Sequence, residues 1–210
     1  MLLAITKTFP PPAVQEAYDA GLRHFGENRV QEAKAKIPQL PGSIQWHLVG
    51  HLQTNKARDA VELFELIHSV DSLKVANELE KWADRASKRV PILLEVNLAG
   101  ESSKFGLQPE SVVEVARQLG AFRRLELRGL MTVPPYLKEA EKVRSFFRKL
   151  REVKSDTEQA LGVSLPHLSM GMSHDFEVAI EEGATIVRVG TAIFGGRETV
   201  VQGMSEGADV

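Results

Sequence analysis

Three groups of residues in this chain have types and spacings suited to chemistry. Lys7 directly follows the apolar run Leu2 to Thr6. An amine held at the end of an apolar strand has its charged form disfavoured, which frees the lone pair for attack on a carbonyl. That is what a Schiff-base lysine requires, although a solvated loop lysine looks the same in isolation. The second group is a pair of small-residue loops, Ser169-Met170-Gly171-Met172-Ser173 and Gly190-Thr191-Ala192-Ile193-Phe194-Gly195-Gly196. Small residues let backbone N–H groups approach phosphate oxygens, Ser and Thr hydroxyls add donors, and a short helix starting near Thr191 would add a favourable dipole. Turn formation is the plainer use of these residues, with Ser173 as the N-cap of a helix over Asp175 to Glu182. The third feature is Arg188, which shares a strand face with Ile186 and Gly190 by period-two alternation. A guanidinium there is a fixed donor, either toward a ligand ring nitrogen or in an internal salt bridge.

These residues need a scaffold, and the hydrophobic pattern supplies one. Eight β-rich runs occur at Leu2 to Thr6, Arg23 to Phe25, Gln45 to Val49, Leu66 to Val70, Pro91 to Leu98, Leu125 to Met131, His167 to Met170 and Thr185 to Val189. Between them lie amphipathic stretches such as Ser72 to Lys88 and Lys138 to Leu161. Strands alternating with helices pair in parallel, and eight such units predict a single-domain (β/α)8 TIM-type barrel of class α/β. In that fold the site forms at the C-terminal ends of the strands, with phosphate at the loops after strands seven and eight. Lys7, the two small-residue loops and Arg188 all fall there. No Gly-x-Gly-x-x-Gly follows the first strand, which argues against a dinucleotide fold.

Composition narrows the classes further. The 210 residues carry 26 Lys+Arg against 28 Asp+Glu, a net charge of -2, without the basic excess of a nucleic-acid binder. There is no Cys, so disulfides and thiolate chemistry are excluded. No apolar stretch reaches membrane-spanning length and the opening apolar run is too short for a signal peptide, so a cytoplasmic location and no membrane partner are expected. The His residues lack metal-site spacing, and no metal is expected. Trp46 reads as packing and His47 as a hydrogen-bonded histidine.

An imine-forming lysine, a phosphate cradle and an inward arginine together describe pyridoxal phosphate. The chain resembles the pyridoxal-phosphate homeostasis proteins, small single-domain relatives of the alanine racemase N-terminal barrel. The resemblance rests on Ala4-Ile5-Thr6-Lys7-Thr8, on His24-Phe25-Gly26-Glu27-Asn28-Arg29-Val30-Gln31-Glu32, and on Trp46-His47-Leu48-Val49-Gly50-His51-Leu52-Gln53-Thr54-Asn55-Lys56. Ser103-Lys104-Phe105-Gly106, Gly129-Leu130-Met131-Thr132 and the two phosphate loops extend it from Leu2 to Gly196. It implies that residues 1–196 form a barrel binding pyridoxal 5'-phosphate covalently on Lys7, as an internal aldimine, with 197–210 a C-terminal tail. It also implies that Arg188 faces the pyridine nitrogen, that Ser169, Ser173, Gly190 and Thr191 hold the phosphate, and that Asn28 lines the pocket. Lys104 is either a solvated loop lysine or a second amine able to exchange with Lys7. Family members usually have a helix before the first strand; here the strand follows Met1 at once, so the expectation is either a truncated start or a partner chain that covers the exposed barrel face.

The implied function is a carrier that buffers pyridoxal phosphate or delivers it to apo-enzymes, acting as a monomer or weak homodimer and without catalytic residues of its own. One alternative is a weak amino-acid racemase using Lys7 with water or Tyr136 as the second base. Another is a Schiff-base aldolase that uses the same lysine and cradle without a cofactor.

Overall fold

The computed structural model describes residues 1–100 and 105–196 of the chain. Strand β1 (Leu2–Ile5) is followed by α1 (Pro11–Asp19), β2 (His24–Glu27), α2 (Val30–Lys36), β3 (Gln45–Leu48) and α3 (Ala57–Leu63). Then come β4 (Leu66–Val70), α4 (Leu73–Arg85), β5 (Val90–Glu95), α5 (Val112–Leu119), β6 (Leu125–Met131) and α6 (Arg144–Leu161). The described chain closes with β7 (His167–Met172), α7 (Phe176–Glu181), β8 (Ile186–Val189) and α8 (Thr191–Phe194). The strands form a closed parallel barrel in sequence order, with β8 returning to β1 through Leu3↔Arg188 and Ala4↔Val189. The expected (β/α)8 barrel is therefore the fold.

Strand alternation divides the apolar residues into two cores. Leu3, Ile5, Leu66, Leu93, Met131 and Ile186 fill the barrel interior. A larger layer containing Phe25, Trp46, Leu79, Leu94, Phe147 and Leu150 lies between sheet and helices. Helix α4 shows how the sequence builds the outer layer. Ser72 caps it, accepting from the Val75 amide at 3.4 Å, and Val75, Ala76, Leu79 and Ala83 repeat at helical spacing on the buried face.

Two boundaries differ from the sequence expectation in a way that matters. The stretch read as one helix over Lys138 to Leu161 begins instead with a 3-10 turn at Ala140–Val143, and α6 starts at Arg144. The Pro134-Pro135 pair holds the preceding chain extended, and the Leu137 carbonyl accepts from His174 Nε2 at 3.1 Å instead of joining a helix. The fifth β-run, expected to reach Leu98, ends as a strand at Glu95, after which Val96 makes an isolated bridge to Leu107. Register shifts between β4 and β5, β5 and β6, and β7 and β8 mark bulges that re-aim interior side chains. The short helix expected near Thr191 is α8, four residues long, and Met1 and Leu2 are 49% and 42% exposed.

Candidate functional site

Lys7 stands in the turn that leaves β1, two positions beyond Ile5, whose side chain is in the barrel interior. Three contacts hold that turn. Thr6 N donates to Gly26 O at 3.0 Å, Thr6 Oγ1 donates to the buried Glu27 Oε1 at 2.6 Å, and Lys36 Nζ donates to the Thr6 carbonyl at 2.7 Å. Thr8 then takes a left-handed φ of 68°, unusual for a β-branched residue, and so turns the chain away from the strand direction. Phe9 follows and packs its ring on Phe194 of α8 at a centroid separation of 4.9 Å, tying the Lys7 turn to the loop after β8.

That loop and the one after β7 form a single polar junction. Ser173 Oγ accepts from the Gly190 amide at 3.1 Å and from the Ala192 amide at 3.4 Å. Ser173 is not the helix cap: Asp175 holds the N-cap position of α7, without a side-chain cap bond, and its Oδ1 accepts from the Met172 amide at 2.6 Å. Ser173, Gly190 and Thr191 are thus brought together at one rim, with Thr191 exposed at the start of α8. Convergent amides already holding an oxygen, beside a hydroxyl, suit a phosphate group. Gly171 makes the junction possible: at φ +88° it lets β7 run against α7, where a Cβ would come within 2.5 Å of the Ala179 side chain.

Ser169, expected beside Ser173 at the phosphate, does not join that junction. Its side chain is completely buried inside the barrel, one layer below the rim, and its hydroxyl is engaged by Arg188 Nη1 at 2.8 Å and His68 Nδ1 at 2.9 Å. The β7 bulge between Ser169 and Met172 separates the two serines, so Ser173 reaches the rim while Ser169 stays inside. Arg188 is inward-facing as alternation implied. Its Nη1 also donates to Ser169 O and its Nη2 to Thr132 O, both at 2.8 Å. Burial pushes its pKa down to about 10, against the pull of the Glu95 and Asp175 carboxylates, so it remains protonated at neutral pH. Burial, reinforced by Asp71, raises the Glu95 carboxyl to about 7 despite Arg188.

Asn28 follows β2, the neighbour of β1, beside a cavity of about 560 Å³ that it lines with Gln31, Gly50, His51, Gln53 and Lys56. The β2 and β3 loops touch backbone to backbone there, since a Cβ on Gly50 would fall 2.2 Å from the Asn28 carbonyl oxygen. His51 stacks on Phe105 at 3.5 Å and pairs with Asp71 at 3.0 Å. Tyr136, the candidate second base of a racemase, is 77% exposed and packs against His174. Lys104 and the tail 197–210 lie outside the described residues.

Sequence reasoning missed two buried polar groups. One is the Lys36–Glu27 ion pair under the Lys7 turn, with side chains 8% and 0% exposed. Nothing local announces it, because Lys36 reads as an ordinary helix lysine. The other is the run of His24, His47 and His68, whose sequence signal was present: all three fall on interior-facing positions of consecutive strands. Trp46 packs in the outer core and His47 is hydrogen-bonded on both ring nitrogens, as expected.

Comparison with known proteins places this geometry in a family. The sequence profile of the alanine racemase N-terminal domain matches residues 9–198. A pyridoxal phosphate homeostasis protein of Aquifex aeolicus is 48% identical over 94% of this chain and 87% of its own length. PipY of Synechococcus elongatus, solved without pyridoxal phosphate, superposes with a TM-score of 0.88 at 42% identity, covering 93% of this chain and 92% of that one. The same protein with pyridoxal phosphate bound gives a TM-score of 0.86 at the same identity and coverage. With this fold, this rim and these relatives, the chain belongs to the pyridoxal phosphate homeostasis proteins, within the alanine racemase N-terminal domain family.

Proposed function

We propose that this protein binds pyridoxal 5'-phosphate covalently through Lys7 and serves as a cytoplasmic carrier, buffering the cofactor or delivering it to apo-enzymes, as a monomer or weak homodimer. The observation that carries this reading is the adjacency of β1 and β8. Their register, Ala4↔Val189, sets the Lys7 turn beside the Ser173–Gly190 junction on the same rim, with Arg188 buried just beneath. When bound, the cofactor supplies an aldehyde carbon for the lysine and a conjugated pyridine ring.

The residues present fit that group. Ser173 and Thr191 would offer hydroxyl donors to the phosphate and Gly190 its amide, which now donates to Ser173 Oγ, and Asn28 would line the pocket. Arg188 faces the pyridine nitrogen and, being protonated and donor-only, keeps that nitrogen from taking a proton. Ser169 acts one step removed, by holding Arg188. The binding reading is favoured over a racemase because Tyr136 is 77% exposed to solvent and packs on His174, with no hydrogen-bonded partner shown among the described residues to activate it as a base. The deciding experiment is a visible-absorbance titration with pyridoxal 5'-phosphate, followed by borohydride reduction and peptide mapping. The expected label is on Lys7, and Lys7→Ala should lose it while staying folded. A label on Lys104, or an undiminished reducible band in Lys7→Ala, would overturn the attachment.

A further inference from the structure

A chain of hydrogen bonds crosses the barrel interior from the cofactor rim to the opposite opening. From Arg188 Nη1 it runs 2.8 Å to Ser169 Oγ and 2.9 Å on to His68 Nδ1. From His68 Nε2 it continues 3.0 Å to His47 Nδ1, and from His47 Nε2 3.3 Å to His24 Nδ1. His68 is fully buried, His47 is 3% exposed, and His24 reaches a cavity of about 240 Å³ at the N-terminal mouth, which it shares with His167 and Arg128.

Donor and acceptor roles along this chain follow from its upper end. A guanidinium has only donors, so Ser169 Oγ must accept from Arg188. Its second lone pair could accept from His68 Nδ1, but the buried hydroxyl proton would then have no acceptor among the described residues; given to His68 Nδ1, it leaves His68 with its proton on Nε2. That proton goes to His47 Nδ1, and the His47 Nε2 proton goes to His24 Nδ1. All three imidazoles are neutral in this arrangement. Burial agrees, holding His47 down to about 3 and His68 well below the ordinary histidine value.

We propose that His68, His47 and His24 are positioning residues for Arg188. Their one-way chain keeps a lone pair of the Ser169 hydroxyl turned toward the guanidinium and thereby fixes the plane that Arg188 presents to the rim. If the acceptor at His68 is lost, the hydroxyl is free to rotate its proton toward Arg188 and the contact becomes repulsive. The consequence for the cofactor rests on Arg188 facing the pyridine nitrogen; the chain itself does not.

The test uses cofactor-free protein with labelled histidine and arginine, followed by NMR at neutral pH. His24, His47 and His68 should all carry the proton on Nε2. Ser169→Ala should move the Nδ1 resonance of His68 most, His47 less and His24 least, while His167, in the same mouth but outside the chain, stays still. His68→Phe should speed exchange of the Arg188 guanidinium protons by about tenfold, the scale of one lost hydrogen bond to a charged group. His68→Asn, which keeps an acceptor oxygen near the Nδ1 position, should restore the wild-type rate. A proton on His68 Nδ1, or equal exchange in the Phe and Asn variants, would overturn the proposal. Should His68→Phe fail to fold, Ser169→Ala gives the same exchange readout. Because these measurements are made without cofactor, their failure leaves the Lys7 attachment to be judged separately by reduction and mapping.

Discussion

The Ser173 hydroxyl oxygen lies 3.1 Å from the Gly190 amide nitrogen, so the loops after β7 and β8 share one hydrogen-bonded junction at the rim. Ser173→Ala removes a hydroxyl donor and leaves the amides of Gly190 and Ala192 in place. A charge-assisted hydrogen bond to phosphate contributes about 1.5 to 3 kcal/mol, so affinity for pyridoxal 5'-phosphate should fall by a factor of about 10 to 100. Affinity for unphosphorylated pyridoxal should not change. Equilibrium titration with both ligands checks this, and equal losses for the two would remove Ser173 from the phosphate site.

Lys36 and Glu27 form a buried pair that anchors the Thr6 carbonyl immediately before Lys7. Burial pushes the Glu27 carboxyl up, and the hydrogen bonds from Lys36 and Thr6 pull against that shift. Lys36→Met strands that carboxylate, and breaking a buried pair from one side costs about 3 to 5 kcal/mol. The double substitution Lys36→Met with Glu27→Gln should recover part of the loss. Urea unfolding of the two single variants and the double would show it, and an additive double would mean that the pair is not coupled.

Glu95 makes stability depend on pH with an identifiable sign. Its folded pKa is about 7 against an ordinary 4.5, so the folded state binds the extra proton and stability falls as pH rises from 4.5 to 7. Above that window the penalty is complete, about 3 to 4 kcal/mol. Glu95→Gln should therefore match wild type near pH 4.5 and exceed it at pH 8, as read from denaturant midpoints. A constant difference between the variants across that range would refute the assignment.

Arg188 decides how inert the bound cofactor is. Arg188→Glu would give the pyridine nitrogen a proton partner, and α-proton exchange of added amino acids should become faster than in wild type. Since the change also places a carboxylate where Ser169 and Thr132 oxygens now accept from the guanidinium, the variant must first be shown to be folded and loaded. Deuterium incorporation at the α-carbon is the measurement. No acceleration in a folded, loaded variant would mean that Arg188 does not face the nitrogen, or that a missing second base limits exchange.

Much of the candidate site's placement is legible in the sequence. Lys7, the Gly190-Thr191 turn and the inward side of Arg188 follow from period two and from where a parallel barrel places its loops. Ser169 shows where that reasoning stops. It lies in the same short motif as Ser173, yet a bulge between Ser169 and Met172 sends one serine into the barrel and the other to the rim. No periodicity locates a bulge, because it is set by how two strands twist past each other.

The sequence by itself determined the alternation of strands and helices, the two apolar faces of each strand and the order of the loops at the rim, since each depends only on residues near one another in the chain. Only the tertiary structure decided which polar groups became partners. Arg188 meets Thr132 across 56 positions and His68 meets Ser169 across 101, contacts that exist because the barrel closes. The physical reason is that a buried polar group takes whatever partner the closed interior offers, and that choice is made by strand register and shear, not by the identity of its neighbours along the chain.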